Sequence, residues 1–533
     1  MATTDCHVIL CGRSAAKLQA FIDALPAGGQ RVSSTVLDRE HATAADIAAL
    51  NALCIVDAAG PFQAQNLRFA RAVIDARCHY IDLADARDFV AAFPTLDAAA
   101  KARGVLAVTG ASTTPALTHA VLDEVTRGWT RVDSVEVGIS PGGGTSFGLA
   151  VIQAILSYVG QPVRVWRHGR WDTAPGWSLS VRRAVGEAGK RWLSLCDTPD
   201  LDLIPQRFPS VRHAVFRAGL ELSVLHWALW ALGLLVRFGL MRSLKPLAEP
   251  LRDAAEFTRR FGSDTGGMLV EVSGVYGDGS HLKTVWSLTA DAGDGPEIPT
   301  FGALCIVRGL LDGRLTQTGA TACVGMLDLA AFEREFKRFD IRTARETTRL
   351  EAGPLFERAL EAFQGMPAKV RAAHAPDPAC ELQGRVDIDG AAHPIGHVIA
   401  RMFGFPASAR EQAAFVTIER EEEGETWIRR FGPTVFMSRL QAARTTNRLV
   451  ERFGVFAFDL NGRADEKGFE LSIAGARLCG VPLPSALVPA TRACASTDEQ
   501  GRYRFDVTIT LPFVGRLVRY RGWLEPRQLR LQG

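Results

Sequence analysis

Two aspartates, Asp82 and Asp85, stand three residues apart at the end of a short apolar stretch, His79 to Leu83. A carboxyl group at a strand end can move a proton or accept a hydrogen bond from a ribose hydroxyl, so both are candidate acid/base or ribose-contacting groups. Capping a helix is the plainer role for either. Arg13, in the turn Gly12-Arg13-Ser14, offers a guanidinium suited to a phosphate, and Ser14 can support it or cap the helix that follows. The turn Ala58-Ala59-Gly60-Pro61, followed by Phe62, is built of small residues. It suits close approach of backbone to a ligand and equally suits a tight turn with none.

The surrounding pattern supplies elements to hold these groups. Leu53 to Val56 is an apolar run too short for a buried helix, and it reads as an interior strand of a parallel sheet. Asn66 to Ala76 has the spacing of an amphipathic helix, and His79 to Leu83 is the next strand. Together they form a βαβ crossover, whose ligands lie beyond the carboxyl ends of its strands. His7 to Cys11 is a further strand, with a helix over Ala15 to Leu25. An Arg just past the second strand of a dinucleotide-binding sheet meets the 2′-phosphate of NADP, where an acidic residue would select NAD. The strand and G-x-G-x-x-G loop that should precede it are missing, with only Met1 to Cys6 upstream.

The segments CGRSAAKL, VDAAGPF, CHYIDLAD and VTGASTTPAL, in this order, resemble the saccharopine dehydrogenase-like NAD(P)-binding proteins. The resemblance covers Val8 to Ala116 and extends loosely to about residue 345. It implies a Rossmann domain interrupted by an α+β substrate and dimerisation domain. It also implies hydride transfer between NADP (or NAD) and a C=N, C=O or activated C=C bond of a small-molecule substrate. Arg13, Ala59, Gly60, Pro61 and Phe62 would line the cofactor cleft. The absent glycine loop is the departure from the family. The expected fold class is therefore α/β, a Rossmann-like parallel sheet without its first strand, plus an α+β substrate domain and a C-terminal, mainly antiparallel β domain. The expected divisions are 1–116, 117–350 and 351–533.

Farther along, Val132 to Ile139 alternates as in a half-exposed sheet, and Val105 to Val108 as well as two strands between Met268 and Ala290 join the pattern. The glycine run from Pro141 to Ser146, ahead of a helix at Phe147, reads as a loop bordering the substrate cleft; an anion cradle is the weaker reading. Ala218 to Val236 is the most apolar window. Trp227, Trp230 and the basic flank Arg237, Arg242 and Lys245 suit a helix at a lipid interface, while a buried helix or homodimer interface fits the same composition. Short alternating strands fill the last third, where WIRRFG and ERFG resemble an uncharacterised domain appended to such chains in bacteria. In His393-Pro394-Ile395-Gly396-His397, proline and glycine argue against a helix, and no metal site is expected. Glu419 to Glu425 reads as a solvated hairpin tip, and Arg429 and Arg430 as exposed arginines able to meet an anion.

The 533 residues are 47% hydrophobic and 22% charged, with net charge +3, which makes no case for nucleic-acid binding. Ten scattered cysteines and no secretory leader point to a reducing cytoplasm, with peripheral membrane contact through 218–236 as the added alternative. A non-catalytic binder of an apolar ligand, in the cleft or the C-terminal domain, is the rival class. Arg13→Asp is expected to weaken NADP far more than NAD in titrations, because it puts a like charge against the 2′-phosphate. Equal losses for the two cofactors would remove Arg13 from that role.

Overall fold

The computed structural model describes residues 6–25, 31–145, 148–350, 353–421 and 424–527. Two compact units divide the chain, Met1–Arg349 and Leu350–Gly533. The division expected near Ala116 falls inside the first unit, because the chain returns to its first sheet two hundred residues later.

The first unit has a Rossmann-like layer with a break in it. Strands β1 (Val8–Gly12) and β2 (Val32–Val36) pair in parallel as a two-stranded sheet. Strands β3 (Cys54–Asp57), β4 (His79–Asp82) and β5 (Leu106–Thr109) form a second parallel sheet, extended beyond β5 by Gly319–Ala322. Among the described residues no strand joins β1 to β3. Instead, Arg39, just after β2, bridges the pieces. It donates to Asp57 Oδ1 at 3.0 Å and to the Ala59 carbonyl. Tyr80 donates to the other Asp57 oxygen at 3.2 Å, and Arg68 donates to the Glu40 carbonyl at 3.1 Å. The core under this layer is aromatic and aliphatic, with Phe62, Tyr80, Phe89 and Phe93 buried together.

The second layer is a nine-stranded mixed sheet. Its centre is the long strand Trp129–Ser140, antiparallel to Gly266–Tyr276 and parallel to His213–Ala218. Three helices, Leu149–Tyr158, Ser223–Arg237 and Ala248–Thr258, stand against it. No helix among the described residues is long and apolar enough to cross a membrane. The two layers are tied by Arg87, at the start of the helix Arg87–Ala92. Its guanidinium donates to both Asp202 oxygens at 2.6 Å, to Asp197 at 3.1 Å and to the Arg164 carbonyl at 2.6 Å. Burial alone would raise Asp202, but the hydrogen bonds and charge of Arg87 outweigh it and hold the carboxyl below its usual range.

The second unit is a β-barrel. Ten antiparallel strands run from Ala379–Asp389 to Gly515–Pro526, and the pairing of Phe456–Asp465 with Gly468–Leu478 closes the ring. Closure removes the free edges that an open sheet would expose. Two expectations are corrected here. Pro394–Met402 is a helix, capped by His393 Nδ1 accepting from Ile395 N–H at 3.2 Å. Proline is tolerated in a first turn, where its missing N–H would have had no partner. Glu419 and Glu425 are buried rather than solvated. Trp427 Nε1 and the Leu355 N–H both donate to Glu425, at 3.0 and 3.2 Å. Glu422 and Glu423 lie outside the described residues.

Asp202→Ala leaves the Arg87 guanidinium buried with much of its partner removed, and should lower stability by about 3–5 kcal/mol. Denaturant unfolding checks this, and a loss below about 1 kcal/mol would show that the clamp is not what joins the layers.

Candidate functional site

A cavity of about 300 Å³ lies between the carboxyl end of the β3–β4 region and the second layer. Gln63 and Asp85 reach it from the first layer, and Tyr158, Trp177, Cys196, Asp197 and Thr198 from the second. Most of the remaining wall is aliphatic: Val151, Ile152 and Ile155 from one helix, Leu225, Leu229 and Leu232 from the next, Leu251 from the third. The cavity therefore has one polar end and a long apolar body.

The polar end is held by backbone geometry. Asp85 follows β4 by three residues, and Arg87, two further on, is locked by its clamp, so the short segment between them has little freedom. Gln63 Nε2 donates to Asp85 Oδ1 at 3.2 Å. Asp85 is accessible within the cavity yet enclosed by protein, and burial raises its pKa more than the Gln63 hydrogen bond lowers it. Gln63 Oε1 and Thr198 Oγ1 are buried with no hydrogen-bond partner. Each such atom costs about 1–3 kcal/mol, a cost that a polar group of a bound ligand would relieve. Burial pushes the Tyr158 hydroxyl and the Cys196 thiol upward, and Asp197 is raised by burial despite its contact with Arg87. This end can accept or donate a proton at Asp85 and hydrogen-bond a carbonyl, imine or hydroxyl.

The other expected site residues are placed apart from it. Asp82 is sealed in the core, 0% exposed, and its Oδ1 accepts from Ala84 N–H, Thr109 Oγ1 and Gly110 N–H at 2.8–2.9 Å. Gly110 sits at φ +72°, where a Cβ would stand 2.5 Å from Pro115 Cδ, so glycine is required there. Asp82 thus pins the end of β4 to the turn after β5 and does not line the cavity. Ala59 and Gly60 are exposed and Pro61 half-buried at the end of β3. Phe62 is turned into the core against Phe89 at 5.4 Å. Arg13 is exposed, and Ser14 caps the helix Ala15–Asp23, its Oγ accepting from Lys17 N–H. The glycine run has a packing reason. Cβ atoms at Gly142 and Gly144 would fall 2.6 and 2.5 Å from atoms of Ser263 and Asp264. Gly143 N–H already donates to Glu221 at 2.7 Å and Gly144 N–H to the Ser263 carbonyl at 2.8 Å, which leaves these amides no anion to cradle. Pro141 and Gly143 border the cavity, while Ser146 and Phe147 lie outside the described residues.

The residues present fit a dinucleotide only in part. Arg13 and the exposed turn after β3 could meet its adenosine end. Among the described residues, however, no glycine loop at a helix N-terminus stands between β1 and β3 to hold a pyrophosphate. Sequence reasoning missed Arg39, Gln63 and Thr198; Gln63 alone had a signal, its place just past the small-residue turn.

The barrel has its own cavity, about 130 Å³, lined by aliphatic side chains and aromatic rings such as Phe431, Phe458, Phe469 and Phe505. Arg429 is not exposed as expected but buried in this wall. It donates to Ser438 Oγ at 2.9 Å, lies 3.5 Å from Glu451 and stands over the Trp427 ring. His374, held neutral at about 3 by burial and by nearby Arg429, lies 3.1 Å from the Tyr503 hydroxyl.

Residues 366–524 match the model of a domain of unknown function, DUF4166. No curated protein matches the chain. Among solved structures, the chain is similar to apo histidine-tagged saccharopine dehydrogenase (L-Glu forming) from Saccharomyces cerevisiae. The identity is 12% and the TM-score 0.46, over 65% of this chain and 95% of that one. It is also similar to GenD2 from gentamicin A biosynthesis in complex with NAD, at 14% identity and TM-score 0.26, over 65% of this chain and 97% of that one.

Burial raises the Asp82 carboxyl to about 7 in the folded chain. The folded state therefore keeps a proton that the unfolded state releases near its ordinary value of about 3.9, and stability from this group falls as pH rises between those values. Asp82→Asn retains an oxygen for the three donors and cannot titrate. Urea unfolding from pH 4 to pH 8 should give a flatter profile for the variant, and an unchanged slope would assign the titration elsewhere.

Proposed function

We propose that the first unit is an oxidoreductase of saccharopine dehydrogenase-like type, acting on a large, mainly apolar substrate with a C=O, C=N or activated C=C group. The observation that carries this reading is the polarity of the cavity. A protonatable carboxyl, Asp85, lies with two unpartnered polar atoms, Gln63 Oε1 and Thr198 Oγ1, in a wall that is otherwise mostly hydrocarbon, its further carboxylates Asp197 and Glu221 being held by Arg87 and by Arg191 and Ser263. A substrate held there would have its reducible group beside Asp85 and Gln63, with its apolar body among the three helices. Asp85, raised by burial, is suited to exchange a proton with that group. Substrate binding by burial of hydrocarbon needs no charge on the ligand, in keeping with the aliphatic wall.

A nicotinamide dinucleotide, NADP or NAD, is the hydride carrier such chemistry uses. The described residues do not complete its site, so the roles assigned to this chain stop at holding the substrate and moving a proton at Asp85. A second reading is a carrier that holds the same ligand without turning it over, in keeping with the well-formed apolar cavity.

Calorimetry with the 533-residue chain distinguishes the two. NADPH binding no tighter than the millimolar range, at least about 3 kcal/mol weaker than a micromolar site, is the outcome that favours the carrier. A long-chain aldehyde or enone should bind in the cavity, and Asp85→Asn should weaken proton-coupled turnover far more than this binding. Micromolar NADPH binding would remove the carrier reading. Failure of every long-chain probe to bind would remove both.

A further inference from the structure

The helices that wall the cavity, and the segments that follow Arg237 and Thr258, carry large apolar side chains turned to solvent. Val224 is 80% exposed, Leu240 73% and Phe257 65%, with Phe238 and Phe261 of similar exposure. Trp227 and Trp230 are exposed as well, with their rings 5.7 Å apart. Single exposed apolar residues are ordinary, but a group of this size concentrated on one helical lobe marks an interaction surface. Its charges are biased. Leu149–Tyr158 holds no charged residue, and Ser223–Arg237 holds only Arg237 at its last position. The segment 237–260 then holds six basic residues, Arg237, Arg242, Lys245, Arg252, Arg259 and Arg260, against the acidic Glu249, Asp253 and Glu256. Arg260 lies over the rings of Phe257 and Phe261 at 4.4 and 4.9 Å, so a cation and exposed aromatics share one place.

The cavity reaches the surface on this lobe. Val151, Ala228 and Ala254 line the cavity and are themselves exposed, one on each of the three helices. A mouth between three helices, ringed by apolar side chains with basic residues beside them, would be a poor entrance for a ligand dissolved in water. It suits a ligand dissolved in hydrocarbon.

We infer that this lobe docks on an anionic lipid surface and admits a single-chain lipid, bearing a polar carbonyl-type end, from the bilayer into the cavity. The apolar side chains enter the interface while the basic residues meet lipid phosphates, the arrangement of a helix that lies on a membrane without crossing it. Charge complementarity selects the lipid surface over a second copy of this chain, which would bring the same basic residues against one another. The entry step rests on the substrate reading proposed above, whereas the docking step does not.

The test uses the full chain and vesicles of phosphatidylcholine with and without phosphatidylglycerol. The chain should sediment with the anionic vesicles, less so at high salt, and only weakly with neutral ones. The double variant Leu240→Glu, Phe257→Glu alters exposed side chains that do not line the cavity, so its thermal transition should stay in place while its binding to anionic vesicles drops about tenfold or more. A fluorescent single-chain aldehyde embedded in the vesicles should pass to the wild-type chain and much more slowly to the double variant. Uptake of the same probe from solution should be equal for both. Wild-type chain that takes up the probe from solution but ignores anionic vesicles overturns the docking and leaves the substrate reading standing. Vesicle binding with uptake from solution but no transfer from the vesicles overturns the entry step alone, and failure of uptake by both routes overturns the substrate reading with it. Dimers that dissociate in the double variant, with no vesicle binding, would assign the face to a second copy and overturn the proposal.

Discussion

Within the first unit, one buried guanidinium ties together two layers that also share a hydrophobic core. Arg87 places its charge between Asp202 and Asp197, and the carbonyl of Arg164 takes a further N–H. Taking these charges out of water is costly, and bidentate geometry with full hydrogen bonding is what offsets that cost. These bonds link the helix after β4 to the second layer at the edge of their common core. Asp85 is two residues from this anchor, so the same interaction that joins the layers also aims the cavity's carboxyl. A weaker or exposed pair would leave Asp85 to wander with its turn.

The break in the parallel layer is the second constraint. Among the described residues, β1 pairs only with β2, and β3 only with β4. The strand edges between them lack the ladder that neighbours elsewhere in the layer enjoy. Arg39 spans the interval by holding Asp57 and the Ala59 carbonyl, replacing a strand's hydrogen bonds with a single side chain.

The barrel solves a different problem. Ten strands close on themselves, so every apolar inward side chain is covered without a second sheet. The polar groups inside then need partners from within the barrel. Arg429 finds Ser438 and Glu451, His374 finds Tyr503, and Glu425 finds Trp427. Burial raises Glu425 to about 7, so its carboxyl is stable in the neutral form over much of the acidic range.

What the sequence by itself determined was local. The βαβ pattern of β3 and β4, the helix cap at Ser14, the strand alternation of the last third and the position of Asp85 past β4 all follow from spacings of a few residues. Backbone periodicity acts over such distances, so these were legible. The wrong expectations came from treating composition as environment. A run of glutamates was read as solvated although two of them are buried, and proline was read as forbidding a helix it in fact begins. Only the tertiary structure decided which charges are paired. Arg87 and Asp202 are 115 residues apart, and Gln63 and Asp85 are 22 apart. It also decided that Asp82 is a strut while Asp85 faces a cavity, although one ends β4 and the other lies only three residues past it. The physical reason is that burial and pairing depend on what arrives from distant chain. A carboxyl's neighbours in space, which set its charge and its role, are not its neighbours in sequence.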